Sequence, residues 1–319
     1  MIIKHEKINV KPRWKKSEYN RWADYIELLC LKDEVITPDD VIDIWCDDDT
    51  DNEYDRGGLD HLEKSAYLEM QIDDYFILLH SREKACGEYY PFEMQKGNCL
   101  KLKQNLSDKQ KIYIFLLLCS SICFMDNIEM KKYTDDFEVL SKSVMHTLVP
   151  RNAVVELFGT TRKGDLFCGT QRKRIEKLAD CIGARTTKSF DENEKYDLAK
   201  AGDDGLDIVA YLPIDDAQMI PFAFAQCTCS FDKWKEKQDS VLEDHWNTKI
   251  EPLVSYPAFM FVPFSCHNSE GAFYDVTAIR SFLIDRIRII KLYENTKDNL
   301  VECEITKLVQ KNSLSKIWS

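Results

Sequence analysis

Two apolar segments in the second half of the sequence each carry one polar residue with the chemistry of a metal ligand. The first segment, "GDDGLDIVAYLP" (202–213), holds Asp207 immediately before an apolar run. The second segment, "FAQCTC" (224–229), holds Gln226 among apolar neighbours. Carboxylate and amide oxygens are the ligand atoms that hard cations such as Mg²⁺ prefer. The two residue types therefore indicate a divalent-metal site, provided that the fold brings them together.

A β-hairpin would bring them together. Both segments have the composition of strands, and "IDDAQMI" (214–220) between them has the composition of a turn. The midpoint between positions 207 and 226 falls within this connection, so a symmetric hairpin sets Asp207 opposite Gln226. Directly paired residues have Cβ atoms about 4.5–5.5 Å apart on one face of the sheet. The sequence thus predicts a carboxylate and an amide side by side.

Each residue also has a purely structural interpretation. Asp207 could cap the start of its strand, although Asp203 and Asp204 beside the glycines fit a turn better. A carboxylate inside a strand needs a partner, because burying an unpaired charge is costly. Gln226 could be a buried amide whose hydrogen bonds are satisfied by the backbone. A structural zinc site is disfavoured, since Cys227 lies only two residues from the next cysteine and no histidines cluster nearby.

The pattern resembles the PD-(D/E)xK nuclease superfamily, and most closely its Mrr-like type, which reads G-D-G-G-I-D and then Q-x-K. Here "GDDGLDIVA" matches the first part, whereas "AQCTC" matches only the glutamine, because Thr228 stands at the lysine position. The resemblance covers about residues 170–295. It implies that Asp207, Gln226 and the carbonyl of Cys227 bind Mg²⁺ or Mn²⁺, and that the protein cleaves DNA to leave a 5′-phosphate.

The missing lysine has a candidate replacement on the following helix. The chain also resembles proteins of bacterial defence islands in which a tryptophan after the glutamine is followed three residues later by a lysine; here these are Trp234 and Lys237. On a helix, Lys237 lies about 60° from the direction of Trp234. Lys237 is the first choice and Lys233 the second, and both could equally be solvated surface lysines. Glu176 is a further acidic candidate, better interpreted as an exposed helix residue.

The first half of the chain is predicted to be mainly helical. Helix starts are indicated at Thr37, Ser107 and Thr134, each followed by the acids or apolar periodicity typical of a first turn. The apolar run 112–125 is too short to cross a bilayer and contains two serines, so it predicts a buried helix. The segment Gly87–Asn98 is predicted to be a turn-rich connector.

The second half alternates helices and strands. Helices are predicted over 171–183, 231–250 and 278–295, with an extended stretch over 184–190 and an apolar interior strand over 257–265. Together with the hairpin, the predicted order is helix, strand, strand, strand, helix, strand, helix. The fold class is therefore α/β, with a restriction-endonuclease-like core of αβββαβ order and a mixed sheet flanked by helices.

Two domains are predicted. Residues 1–150 form a helical docking or regulatory domain, and residues 151–319 form the nuclease-like domain. The net charge of −12 is concentrated in the window 31–60, which holds twelve acids against Lys32 and Arg56. This acidic segment does not match the calcium-binding loop of an EF-hand, since the required glycine and glutamate are absent. It is interpreted as a solvated loop or a face for a partner.

The cysteine content and the search for other motifs narrow the class of protein. The chain of 319 residues has twelve cysteines without a CxxC pair, which favours free thiols and a cytoplasmic location. No signal peptide, membrane span, P-loop or other nucleotide motif is found.

Three functions stay open. The first is a metal-dependent DNA endonuclease, the effector of a bacterial antiphage defence complex whose other subunits include an ATPase or a sensor. The second is a catalytically degenerate subunit with a nuclease fold that binds nucleic acid or scaffolds a complex; the acidic charge and the absent lysine favour it. The third is an unrelated helical adaptor in which the Asp and Gln pairing is a coincidence.

Overall fold

The structure, a computed structural model, describes most of the chain. The described residues are 3, 8, 12, 14–15, 18–46, 61–96, 98–159, 166–197, 204–215, 217–251 and 254–296, without the side chains of residues 46 and 61–65. Residues 47–60 of the acidic window and residues 198–203, which include Asp203, lie outside them. No helix in these ranges is long and apolar enough to span a membrane.

Two compact units make up the chain. Unit 1 contains Met1–Tyr133, Phe264–Tyr274 and Glu302–Ser319, and unit 2 contains Thr134–Pro263 and Asp275–Val301. The division between the units falls at Thr134, inside a helix, and a short segment late in the sequence belongs to unit 1. A helical docking domain that ends at residue 150 stays a prediction.

Unit 1 combines helices with a small antiparallel sheet. Its helices are α1 (Tyr19–Asp33), α2 (Pro38–Cys46), α3 (His61–Cys86), α4 (Asp108–Ser120) and the first part of α5 (Asn127–Leu148), and its strands are β1 (Val35–Ile36), β2 (Phe92–Gln95) and β3 (Cys99–Leu102) in the order β1-β3-β2. The predicted buried helix is confirmed, since Ile112 to Cys119 of α4 are all at most 1% exposed.

The prediction of a turn-rich connector over Gly87–Asn98 was wrong in its second half. Strand β2 lies there and pairs with β3, with Phe92 opposite Leu102. Gly87 and Pro91 are turn formers, but Phe92 is fully buried, so the apolar residue and its partner strand decide the local structure.

The predicted helix starts are correct in two cases of three. Thr37 and Asp40 bond to each other's backbone at the start of α2, and Ser107 forms a full capping box with Gln110 at α4. Thr134 was wrong, because α5 begins at Asn127. Asp126 Oδ1 accepts hydrogen bonds from the amides of residues 128 and 129 and is the true cap.

A buried charged network holds the helices of unit 1 together. Arg82 on α3 is 2% exposed, and its Nη1 lies 2.7 Å from Asp24 Oδ1 and 3.1 Å from Glu27 Oε2, both on α1. The hydroxyls of Tyr90 and Tyr113 donate to Glu27 Oε1 at 2.9 and 2.8 Å. Buried charges of this kind are tolerated because every carboxylate has a cationic or hydroxyl donor.

Unit 2 is built on a mixed five-stranded sheet. Its strands are β4 (Val154–Leu157), β6 (Ile208–Tyr211), β7 (Phe222–Cys227), β9 (Ala258–Phe261) and β10 (Phe282–Ile284), in the order β10-β9-β7-β6-β4. Strand β6 runs antiparallel to both of its neighbours, β4 and β7, while β7, β9 and β10 run parallel to one another. Two further strands, β5 (Arg185–Thr186) and β8 (Ile250–Glu251), form a separate pair.

Helices pack beside this sheet. They are α6 (Gln171–Cys181), α7 (Lys188–Asp191), α8 (Trp234–Lys237), α9 (Glu243–Trp246) and α10 (Arg286–Tyr293), together with the second part of α5. A core cluster joins α6 to the sheet and to the segment 238–250 through residues such as Ile175, Leu178, Val209, Phe224 and Trp246.

The mixed α/β fold class and the strands β6, β7 and β9 are confirmed. The predicted strand order needs two corrections. The extended stretch 184–190 contributes only β5, which pairs with β8, so the neighbour of β6 is β4 instead. A further strand, β10, precedes α10 where a continuous helix was predicted. Three apolar residues are enough for β10 because β9 supplies its hydrogen-bond partners.

Candidate functional site

The β6–β7 hairpin has the predicted register. Ile208 pairs with Ala225 and Tyr211 with Phe222, so Asp207 stands across from Gln226 at the open end of the hairpin. The Gln226 amide nitrogen Nε2 donates to Asp207 Oδ2 at 2.5 Å. The carboxylate and the amide therefore lie side by side on one face of the sheet.

The third predicted ligand lies at the same point. Gln226 Nε2 also donates to the carbonyl oxygen of Cys227 at 2.9 Å, and the Cys227 amide donates to Asp207 Oδ2 at 2.6 Å. Both hydrogens of the glutamine amide are thus used by the two oxygens that were predicted to bind a metal ion.

The pair is buried on the core side of the sheet. Asp207 is 5% exposed and Gln226 is 4% exposed. Because side chains alternate along a strand, Asp207 shares its face with Val209, and Gln226 shares its face with Phe224. Both apolar residues belong to the core cluster that joins α6 to the sheet.

A short segment covers the pair, and Ser240 is its point of contact. The predicted helix over 231–250 is broken into α8, a 3₁₀ turn at Gln238–Val241 and α9. Ser240 Oγ, in this turn, lies 2.9 Å from Gln226 Oε1, 2.6 Å from Gly205 O and 2.8 Å from Lys237 O. The helix prediction was wrong here because tertiary contacts of the turn outweigh helix periodicity.

Gln238 shows why the helix breaks. This side chain is fully buried, and its Oε1 accepts from the backbone amides of Arg280 and Ser281 while its Nε2 donates to Ala278 O at 2.8 Å. The turn is therefore fastened to the segment that leads into β10.

Gly205 allows the turn to approach this closely. Its φ of +75° lies in the left-handed region. A Cβ atom at this position would lie 2.5 Å from Ser240 Cβ and 3.0 Å from Gln226 Oε1. The glycine of the "GDDGLD" pattern is thus required both for its backbone conformation and for the close packing of Ser240.

The lysine candidates lie on the outside of the same segment. The candidates Lys233 and Lys237 are both exposed, and so is Lys235 between them, whose Nζ pairs with Asp275 Oδ2 at 2.5 Å. Lys237 reaches the site through its backbone, since its carbonyl oxygen lies next to Ser240 Oγ. Glu176 on α6 is exposed, as its structural interpretation predicted.

Thr228, at the family's lysine position, is buried and bonds locally. Its Oγ1 accepts from the Ser230 amide at 3.2 Å. Burial raises the pKa of the neighbouring Cys227 thiol well above its usual value, and the charge of Asp207 adds to this effect. The Cys227 thiol is therefore protonated at neutral pH in the absence of a cation, and the carbonyl oxygen of this residue is its ligand candidate.

The chemistry of the donor set suits a hard divalent cation. Asp207 Oδ2, Cys227 O and, after rotation of the amide, Gln226 Oε1 are all oxygens, which Mg²⁺ and Mn²⁺ prefer. With one carboxylate among three oxygens, the set predicts weak binding. Within the described ranges, no group of three or more His, Cys, Asp or Glu side chains is placed to hold a metal ion.

Sequence reasoning missed an ionic cluster next to the site. Lys249 Nζ lies 2.6 Å from Asp204 Oδ2, and His245 Nε2 lies 3.1 Å from the same oxygen. Lys249 is 3% exposed and stacks 4.9 Å above the ring of Trp246. The only signal in the sequence was the lysine before the apolar Ile250, which does not distinguish a buried lysine from a solvated one.

A separate groove lies elsewhere in unit 2. It has a volume of about 550 Å³ and lies where β9 and β10 begin, with Tyr256, Pro257, Ala258, Ser281 and Phe282 among its lining residues. Asp207, Gln226 and Lys237 are not part of this lining.

The cysteines behave as predicted where their side chains are described. Ten of them are free thiols.

Comparison with known proteins gives no match for this chain, whether with protein-family models, curated protein sequences or solved structures.

Proposed function

We propose that the protein is a metal-dependent DNA endonuclease whose metal site is formed by Asp207, Gln226 and the carbonyl of Cys227. One observation carries the proposal: the amide of Gln226 lies within hydrogen-bond distance of both Asp207 Oδ2 and Cys227 O. Three oxygen-bearing groups that a divalent cation would use thus meet at the end of one hairpin.

Each residue has a role in this proposal. Asp207 would supply the one negatively charged ligand. Gln226 Oε1 and Cys227 O would supply two neutral oxygen ligands. A bound Mg²⁺ or Mn²⁺ would polarise the scissile phosphodiester and lower the pKa of a water. Lys237, exposed at the end of α8, would orient the nucleophilic water and balance negative charge in the transition state. The chain would act as the effector of an antiphage complex, with an ATPase or sensor subunit supplying activation.

A second candidate is favoured by the hydrogen bonding at the pair. Gln226 donates to Asp207 Oδ2 and to Cys227 O, so the pair is hydrogen-bonded without an ion. The side chains of the candidate lysines are exposed to solvent. A degenerate nuclease fold that binds nucleic acid or scaffolds a complex would keep this arrangement.

Plasmid cleavage with Mg²⁺ or Mn²⁺ distinguishes the two candidates. The purified chain is incubated alone and with the products of neighbouring genes, as wild type and as Asp207→Asn, Lys237→Ala and Lys235→Ala. We expect Asp207→Asn to lower cleavage at least about 100-fold and Lys237→Ala at least about tenfold.

Lys235→Ala is the matched control and should retain activity, because it removes an exposed lysine from the same turn of helix. DNA binding without cleavage by the wild type in every combination would support the second candidate. Equal cleavage by wild type and Asp207→Asn would exclude the proposed site.

A further inference from the structure

The side-chain amide of Gln226 has two orientations that the site can accept, and Ser240 distinguishes them. The terminal torsion of glutamine is roughly two-fold, and half a turn about it exchanges Oε1 with Nε2. In the structure, Nε2 faces Asp207 and Oε1 faces Ser240 Oγ at 2.9 Å. The rotated amide would direct Oε1 towards Asp207 and Nε2 towards Ser240.

The Ser240 hydroxyl is better satisfied when the amide is rotated. It has one hydrogen, and three acceptors lie around it: Gly205 O at 2.6 Å, Lys237 O at 2.8 Å and Gln226 Oε1 at 2.9 Å. With Oε1 facing it, three acceptor oxygens compete for the single hydrogen of the hydroxyl. With Nε2 facing it, the hydroxyl donates to a backbone carbonyl and also accepts from the amide.

The Asp207 side favours the opposite orientation. Nε2 makes two hydrogen bonds there, to Asp207 Oδ2 and to Cys227 O, and the first is to a carboxylate. Bonds of this kind are stronger than those between neutral groups. Turning Oε1 towards these two oxygens would bring three oxygens together, which is unfavourable unless a cation lies among them.

We propose that Gln226 is a metal-dependent amide switch and that Ser240 is the positioning residue that stabilises its metal-binding orientation. Without a cation, Nε2 bonds to Asp207 and Cys227 and closes the site. With a cation, Oε1 becomes a ligand, Nε2 donates to Ser240 Oγ, and the Ser240 hydrogen goes to Gly205 O or Lys237 O. This inference rests on the proposed metal site and adds the means by which that site is kept closed.

Manganese affinity tests the switch without any measurement of DNA cleavage. The free Mn²⁺ signal in electron paramagnetic resonance is titrated with the whole chain as wild type, Ser240→Ala, Ser240→Thr, Gln226→Glu, Gln226→Glu with Ser240→Ala, and Asp207→Ala. Loss of one neutral hydrogen bond from the rotated amide should weaken Mn²⁺ binding about three- to tenfold in Ser240→Ala. Ser240→Thr keeps the hydroxyl and should stay within about twofold of wild type.

Gln226→Glu removes the choice of orientation, because the two carboxylate oxygens are equivalent. This variant should bind Mn²⁺ more tightly than wild type. In the Gln226→Glu background, Ser240→Ala should change the affinity by less than about twofold, since no amide needs to be held. In ¹⁵N-labelled wild type, titration with Mg²⁺ should also shift one glutamine side-chain amide resonance, and this shift should be absent in Asp207→Ala.

The outcomes separate the switch from the metal site itself. If Asp207→Ala loses Mn²⁺ binding while Ser240→Ala binds as tightly as wild type, the switch is wrong and the proposed metal site stands. If neither wild type nor Gln226→Glu binds Mn²⁺ above the level of Asp207→Ala, both the metal site and the switch are wrong. An equal effect of Ser240→Ala in both backgrounds would also overturn the switch, because it would reflect packing alone.

Discussion

Lys249 and Asp204 form an ion pair of 2.6 Å at the loop that leads into β6. The Lys249 side chain is 4% exposed and that of Asp204 is 24% exposed. Asp204 has a φ of +62°, and it is followed directly by Gly205, whose carbonyl contacts Ser240. The ion pair therefore fixes the backbone three residues before Asp207. The predictions below concern this ion pair, the glycine beside it and the buried ionic network of Arg82 in unit 1.

Replacement of Lys249 by methionine should destabilise the protein. The variant keeps the length of the side chain but removes the buried ammonium group from a half-buried carboxylate that still faces His245. Breaking a fully buried pair costs roughly 3–5 kcal/mol, and the exposure of Asp204 reduces this to about 2–3 kcal/mol in the free energy of unfolding. Urea denaturation measures the difference.

The matched control is Lys188→Met. Lys188 pairs with Glu192 at 3.6 Å, and its side chain is 87% exposed. A surface pair contributes about 0–1 kcal/mol, so this variant should unfold nearly as the wild type does. Equal stability of Lys249→Met and Lys188→Met would show that the Asp204 pair is not structurally important.

The contribution of Asp204 should depend on pH. Burial alone would raise the pKa of this carboxyl, but the hydrogen bonds from His245 and Lys249 outweigh burial and hold the pKa well below its usual value of 3.8. The stabilisation is therefore complete above about pH 5, and it is lost as pH falls below the unfolded-state value, because the unfolded chain takes up the proton first.

The unfolding free energies of wild type and Asp204→Asn measure this effect between pH 3 and pH 6. Their difference should be constant near pH 6 and should shrink steadily towards pH 3. A difference that is the same at both ends of this range would mean that Asp204 has an ordinary pKa in the folded protein.

Replacement of Gly205 by alanine should be more harmful than replacement of another glycine with the same backbone conformation. Gly205 and Gly271 have φ values of +75° and +82°, but an added Cβ meets Ser240 at the first, whereas at the second no atom of the described residues lies within 4 Å. Strain of the left-handed backbone costs about 1–2 kcal/mol at each site. Overpacking adds about 1–3 kcal/mol at Gly205 alone.

Thermal denaturation compares the two glycine variants. The melting temperature of Gly205→Ala should fall clearly below that of Gly271→Ala. Similar values would indicate that the turn carrying Ser240 moves aside at little cost.

Replacement of Arg82 by methionine should strongly destabilise unit 1. The change leaves Asp24 and Glu27 buried without their shared cation, and removal of one partner from a buried ionic network costs about 3–5 kcal/mol. Lys84→Met, an exposed change on the same helix, is the control and should have little effect. Urea unfolding followed by circular dichroism measures both, and a loss below about 1 kcal/mol in Arg82→Met would contradict the prediction.

Local patterns in the sequence were sufficient to predict several elements. Ser107 and Thr37 mark helix starts because their hydroxyls bond within the first turn, which is a short-range interaction. The hairpin register was predictable for the same reason, since a short connection leaves few ways to pair Asp207 with anything but Gln226. The mixed α/β class followed from the alternation of strands and helices after residue 150.

Features that depend on distant segments were not predictable. Strand β10 forms because β9 lies beside it, and the helix predicted over 231–250 breaks because Gln238 bonds to the backbone of residues 278–281. Lys249 resembles any surface lysine in the sequence until the fold places it against Asp204 and Trp246.

The sequence by itself determined the chemical groups of the candidate site and their pairing across one hairpin, because both depend on residues close together in the chain. Only the tertiary structure decided what surrounds that pair. It brings Ser240 onto Gln226, buries Asp207 against the core and leaves Lys237 exposed, because these contacts join segments whose distance in space is set by the packing of the whole unit.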